Sequence, residues 1–350
     1  MYYSVDDNIR QYQKIVGVEM ISPYKVNWST YKTLVIPGAV NSTNYLHTPL
    51  SWERLRTIGF IAEAPFMIKS DNGKYYLTYS VNGCWNKYYN VCYAVSDSPL
   101  GNFVKPYEKN QSWTNLLLGY PGDSTESGKI YQQWSGFASG TGHHCFFNVG
   151  DQIMIGYHAH QNRDHNKEDK WEERYFAFDY LYFDNDGVPY CNGPTWSPQP
   201  VPDAMTGYTN VALGASVYAE NVINMNAVND NYIVDNYNLE TEDKEVHLGK
   251  GYSYIELTFD KEYTIGGIAV YNSAYYEKTT FDIKYIDLKN GNAFEYPQFS
   301  YNYYNEETEF TFPNSNFTYE FKKEIKTNKV ILCFDLFEST NINEIVVLGK

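Results

Sequence analysis

Glu63 is the residue whose surroundings suggest chemistry first. In "FIAEAPFMIKSDNGKYYLTYS", residues 60–80, one carboxylate stands between Ala62 and Ala64, ahead of Pro65 and an apolar run. A carboxyl group shielded from water keeps its proton to higher pH, which suits it to act as a general acid. Acid–base catalysis of that kind takes a second carboxyl group on the other side of the reacting bond. The only aspartates that precede Glu63 are Asp6 and Asp7, in "YYSVDDNIR". That stretch is expected on the outer part of a sheet, away from a pocket.

Other side chains with reactive or recognition potential are scattered. "GTGHHCFF" holds His143 and His144, and "HAH" holds His158 and His160. Neighbours on a strand point to opposite faces, so a four-ligand zinc site is not expected. His144, His158 and His160 are expected as hydrogen-bonded structural residues. Trp85, Trp134 and Trp171 offer flat apolar rings, suited equally to sugar stacking and to packing. The five cysteines, Cys84, Cys92, Cys145, Cys191 and Cys333, form no CxxC pair. Cys84 and Cys92 are near enough in sequence to bridge neighbouring strands.

Composition bounds the classes. The 350 residues allow two domains, and 43% hydrophobic content excludes general disorder. Aromatics reach 18%, with 36 tyrosines, which favours strands. A net charge of -15 without basic patches argues against nucleic acid or a membrane surface as partner. No apolar run is long enough to span a bilayer. "MYYSVDDNIRQYQ" lacks the basic-then-apolar pattern of a signal peptide, which taken literally predicts a cytoplasmic chain. Sequons at Asn27, Asn41, Asn110 and Asn316 permit a glycoprotein.

The elements that must position these residues read as all-β. "APFMIKS", the turn "DNG" and "KYYLTYS" predict a hairpin, followed by strands at "NVCYAVSD" and "NFVKPY". Four consecutive strands make one propeller blade. "HHCFFNV", "QIMIGYHAH", "RYFAFDYLYFD" and "VPYC" repeat that form. "NGPTWSPQPVP", residues 192–202, closes this half. Beyond about Ala215, "SYIELTFDKEYTIGGIAVYNS" is expected to alternate through a Gly-Gly turn, and "TTFDIKYIDLKNGNAFEY" reads as a hairpin. The expected domains are a propeller portion at 1–205 and a β-sandwich at 216–350.

"EAPFMIKSDNGKYYLTYSVNGC", "NVCYAVSDSPLGNF", "GTGHHCFF" and "RYFAFDYLYFDNDGVPYCNGPTWSPQP" resemble, in order, motifs of glycoside hydrolase family 43. These are five-bladed β-propellers that cut arabinose- and xylose-containing glycans with inversion. The resemblance covers about residues 10–202. It implies that Glu63 is the general acid and that Arg174 reaches into the sugar pocket. It also implies that His143 lies on the propeller axis, often bound through water to calcium. Trp85 is the favoured sugar platform.

The chain departs from that pattern at the base. The family's general base is an Asp near the start of the first blade, usually followed by Pro, and no Asp-Pro pair occurs here. Only 62 residues precede Glu63, where the family has roughly three blades of about 40–50 residues each. The expectation is a C-terminal portion of a family member, extracellular when complete, that associates with a missing N-terminal portion. Residues 216–350 resemble discoidin-type, galactose-binding-like jelly rolls, a fold that binds carbohydrate or packs as a structural domain. Tyr271, Tyr275 and Tyr276 are expected in one of its loops. The alternative function is a non-catalytic carbohydrate-binding protein built on a propeller remnant.

Overall fold

The computed structural model describes residues 1–7, 11–44, 46–55, 60–86, 88–119, 139–160, 174–195, 199–233, 245–272, 280–281, 283–287, 294–295, 301–302, 304–305, 310–311 and 316–350. Trp134, Trp171, Tyr275 and Tyr276 lie outside them. The chain forms two compact units. The first holds Met1–Asn148 and Ile153–Pro194, the second Val149–Gln152 and Thr195–Lys350. Both are all-β, and no described helix is long and apolar enough to cross a membrane.

Unit 1 contains three antiparallel sheets. The first is β1 (Tyr2–Asp7), β2 (Tyr12–Ser22) and β3 (Lys25–Val35). The second is β4 (Ala62–Lys69), β5 (Tyr75–Val81), β6 (Asn90–Ser96) and β7 (Leu116–Leu118). The third is β8 (Ser139–Val149), β9 (Gln152–His160), β10 (Arg174–Phe183) and β11 (Pro189–Cys191). In each the strands pair in chain order, as in a propeller blade. The hairpin β4–β5 turns where "DNG" predicts it. The fourth strand of the second sheet is a correction: it is Leu116–Leu118, and "NFVKPY" contributes only a bridge of Val104 to Val95 and Asn41. Pro106, without an N–H to donate, does not extend that bridge into a strand.

The second and third sheets share one apolar core, in which Tyr76, Val91 and Leu118 meet Ile155, Tyr157 and Leu181. The first sheet packs beside β4. Its polarity there is informative. Tyr2, at the start of β1, donates its hydroxyl to Pro99 O at 3.0 Å, in the turn after β6. Gln13, paired with Asp6 at the other end, donates its N–H to Phe60 O at 2.8 Å, just ahead of β4. β1 therefore runs opposite to β4 and matches β5. The first sheet has no counterpart of β4 among the described residues.

A buried ion pair braces the short turn Ser51–Glu53. Glu53, fully buried, accepts from the Gly38 N–H at 2.8 Å, Tyr79 Oη at 2.8 Å and Asn115 Nδ2 at 2.7 Å, and pairs with Lys105. Lys105 Nζ also donates to Ile36 O at 2.8 Å. Burial lowers the pKa of Lys105, and Glu53 opposes that shift.

In unit 2 the long strands Gly251–Asn272 and Asn316–Leu336 pair antiparallel, and Thr340–Gly349 pairs with the far end of the first. Ile255, Leu257, Ile268, Leu332 and Val347 are among its core residues. Gly266 and Gly267 do not make the expected turn. They lie inside a continuous strand, where the register shifts at a bulge. Tyr271 is likewise no loop residue: it lies in that strand, 1% exposed.

Lys105→Met leaves the Glu53 carboxylate buried without its cation. The expected loss is about 3–5 kcal/mol, read from the urea midpoint followed by tryptophan fluorescence.

Candidate functional site

Glu63 stands at the start of β4, where the strand is distorted. Ala62 and Glu63 pair with Val81 and Ser80, and pairing resumes at Phe66 opposite Thr78. Ala64 and Pro65 form the irregularity, which re-aims the neighbouring side chain. Ala64 has φ +49°. A residue with a Cβ in this left-handed region costs about 1–2 kcal/mol, and strain of this kind concentrates at functional sites.

Tyr89, just before β6, donates its hydroxyl to Glu63 Oε1 at 2.7 Å. Burial first, then the negative charge of Glu63, raises the Tyr89 pKa, so the phenol keeps its proton. Ser80 Oγ hydrogen-bonds Tyr89 and accepts from the His143 N–H at 2.8 Å. One chain of hydrogen bonds therefore joins the start of β4 to β8. Gly142 makes room for it, because a Cβ there would lie 2.2 Å from the Tyr89 ring.

His143 is exposed, with φ +50°, and its ring meets the His158 ring edge-on at 6.1 Å. Arg174 is exposed at the start of β10, paired with His160 across β9. His158 has its pKa lowered by burial first, then by the charges of Arg174 and His143. These three residues thus form one electrostatic group. Trp85, 46% exposed, lies over Gly83 in the β5–β6 connection, where a Cβ would come 2.5 Å from its ring. His160, buried, bonds Cys84 O at 3.0 Å and ties that connection to β9. His144 is buried, with Nε2 2.6 Å from Thr78 Oγ1. All five cysteines are free, so Cys84 and Cys92 do not pair.

The donors around His143 are imidazole and guanidinium groups, whereas calcium takes oxygen ligands. Among the described residues no three His, Cys, Asp or Glu cluster to hold a metal.

Two features escaped sequence reasoning. Tyr89 carries no motif signal beyond its place ahead of "NVCYAVSD". Asp6 and Asp7, expected away from a pocket, line a cavity of about 510 Å³ with Gln13, Phe60 and Ile61. The antiparallel run of β1 past β4 brings them there.

No protein-family model matches the chain, and no curated protein matches it. Solved structures show partial likenesses. A thermostable family-43 glycoside hydrolase has a TM-score of 0.41 and 26% identity over 57% of this chain and 55% of its own. An endo-1,4-beta-xylanase from Bacteroides thetaiotaomicron has a TM-score of 0.36 and 26% identity over 55% and 58%. The family 32 CBM from C. perfringens NanJ, in complex with galactose, has a TM-score of 0.30 and 10% identity over 40% and 98%. The chain spans a little over half the length of the two enzymes.

Ala64→Gly removes the left-handed strain without removing a contact of Glu63. It is expected to stabilise unit 1 by about 1 kcal/mol, visible as a higher urea midpoint. His144 supplies a pH test. Burial lowers its pKa from 6.5 to about 3. The unfolded chain therefore binds a proton that the folded chain excludes, and stability is lost as pH falls from 6.5 toward 3. The slope is about 1.4 kcal/mol per pH unit, and His144→Gln should flatten it in urea titrations between pH 7 and 5.

Proposed function

We propose that unit 1 carries the acid side of an inverting glycoside hydrolase site for arabinose- or xylose-containing polysaccharides. Glu63 is the general acid, Arg174 and Trp85 contact the sugar, and His143 lines the site beside them. The observation that supports this most directly is the placement of Glu63. Its carboxylate sits half-buried at a strained strand start, with one oxygen anchored by Tyr89. A general acid needs that combination of shielding and fixed direction. The proton passes from Glu63 to the glycosidic oxygen as the bond to the anomeric carbon breaks. Water adds from the opposite face and gives its proton to a base.

The resemblance puts the base, an Asp usually followed by Pro, near the start of the first blade, and no Asp-Pro pair occurs in this chain. In this reading a further polypeptide segment carries that blade, supplies the base and completes an extracellular enzyme. Unit 2 is read as the carbohydrate-binding attachment. The lack of that base favours a second reading, in which this chain alone binds glycan without cutting it.

Purified chain incubated with aryl arabinofuranoside and aryl xyloside, beside a Glu63→Gln variant, tests the assignment. Turnover abolished by the substitution supports Glu63 as the acid. Turnover that survives it contradicts the assignment. No turnover by either folded protein supports the binding reading for this chain.

A further inference from the structure

The sheet face of unit 2 that is turned away from its core carries a group of exposed aromatic side chains. The strand Ser216–Glu220 pairs antiparallel with the first part of Gly251–Asn272, which sets Tyr218 opposite Glu256 and Glu220 opposite Tyr254. Side chains two apart on a strand share a face, so Tyr252, Tyr254 and Glu256 lie beside Tyr218 and Glu220. The alternate positions Val217, Ala219, Ile255 and Leu257 pack into the core. Among the described residues no strand pairs with the other side of Ser216–Glu220, so this face reaches a sheet edge.

The rings are held in place and left open. Those of Tyr218 and Tyr254 meet edge to face, with centroids 5.8 Å apart. Tyr218 donates its hydroxyl to Glu220 Oε1 at 3.0 Å, and Tyr254 donates to Glu256 Oε2 at 3.1 Å. Thr258 Oγ1 donates to Glu256 Oε1 at 3.1 Å, and Lys329 pairs with the same oxygen at 2.5 Å. Tyr218 is still 52% exposed and Tyr252 49%. Cross-strand pairing stabilises a sheet edge, but it does not require tyrosines to stay half exposed. A ring whose tip is already bonded loses little freedom when a ligand stacks on it. Tyr252 and Tyr254 are about 7 Å apart along their strand, and Tyr218 stands about 5 Å across from them. The aromatic surface therefore extends beyond one sugar ring.

The charges select among ligands. Lys329 balances Glu256, whereas Glu220 is exposed with no cation paired to it among the described residues. A lone carboxylate repels an acidic ligand and accepts hydrogen bonds from hydroxyl groups. Exposed tyrosine faces beside such an acceptor suit a polyhydroxylated ring with an apolar side.

We propose that this sheet face binds an extended chain of a neutral polysaccharide. Its sugars stack on Tyr218, Tyr252 and Tyr254, and their hydroxyls donate to Glu220. The assignment rests on the reading of unit 2 as a carbohydrate-binding attachment. It puts the ligand on the sheet, apart from the exposed Phe337 in the connection after Leu336.

Calorimetric titration of the full chain with xylohexaose, arabinohexaose and hexagalacturonate tests it. Parallel titrations use Tyr218→Ala, Tyr252→Ala, Tyr218→Phe and Phe337→Ala, each checked for an unchanged melting curve. The expected result is binding of at least one neutral hexasaccharide, weakened about tenfold by Tyr218→Ala and by Tyr252→Ala. Tyr218→Phe keeps the ring and should retain most of the affinity, and Phe337→Ala should bind like the parent. Hexagalacturonate should not bind. Neutral-sugar binding that both alanine variants leave unchanged would overturn the proposal while leaving the carbohydrate reading of unit 2 standing. Binding of neither neutral hexasaccharide would overturn both. Equal affinity for hexagalacturonate would give the face to an acidic ligand and overturn the proposal. So would a dimer in solution that Tyr218→Ala dissociates, which would give the face to a second copy.

Discussion

The buried carboxylate of Glu53 is the constraint on which unit 1 depends. It gathers the Gly38 N–H, Tyr79, Asn115 and Lys105 around two oxygens. Those groups come from the irregular stretch after β3, from β5, and from the middle and the end of the long connection between β6 and β7. An ion pair in this setting gains little against an apolar replacement, yet removing one partner leaves a charge stranded. Its effect is therefore specificity. The short turn Ser51–Glu53 has one place to lie, and Glu63, the second residue of β4, follows ten residues later.

The two glutamates show how surroundings divide one residue type between two roles. Glu53 has acceptors saturated on both oxygens and no exposure. Glu63 has one oxygen fixed by Tyr89 and remains half-buried at a strand start. The hydrogen-bond chain from the His143 N–H through Ser80 and Tyr89 delivers donors in one direction, toward that oxygen. Such a chain polarises along its length. It also makes the position of Glu63 answer to the packing of β8, through the space that Gly142 leaves for the ring.

Local signals in the sequence are mirrored closely by the structure. The hairpin around "DNG", the strands of the third sheet and the opposite facing of His143 and His144 follow from turn chemistry and strand alternation. What failed was tertiary. "NFVKPY" has strand composition, but Leu116–Leu118 takes the fourth place because the connection returns there and packs on the shared core. Gly266-Gly267 reads as a turn by composition, yet a bulge absorbs it within one long strand. Nothing local marks Glu53 and Lys105 as buried partners, since they are 52 residues apart. The pocket position of Asp6 and Asp7 depends on the direction in which β1 passes β4, which no periodicity encodes. Glu63, Arg174, His143 and Trp85 are candidates through motif order and resemblance, and the geometry adds Tyr89 and Ser80 as the groups that hold the Glu63 carboxylate in place.

The most direct test of the account is a crystal structure of the chain soaked with arabinotriose or xylotriose. The expected result is sugar density on unit 1 at the second oxygen of Glu63, with a ring near Arg174 or Trp85. Sugar bound solely to unit 2, with the surroundings of Glu63 empty, would contradict it.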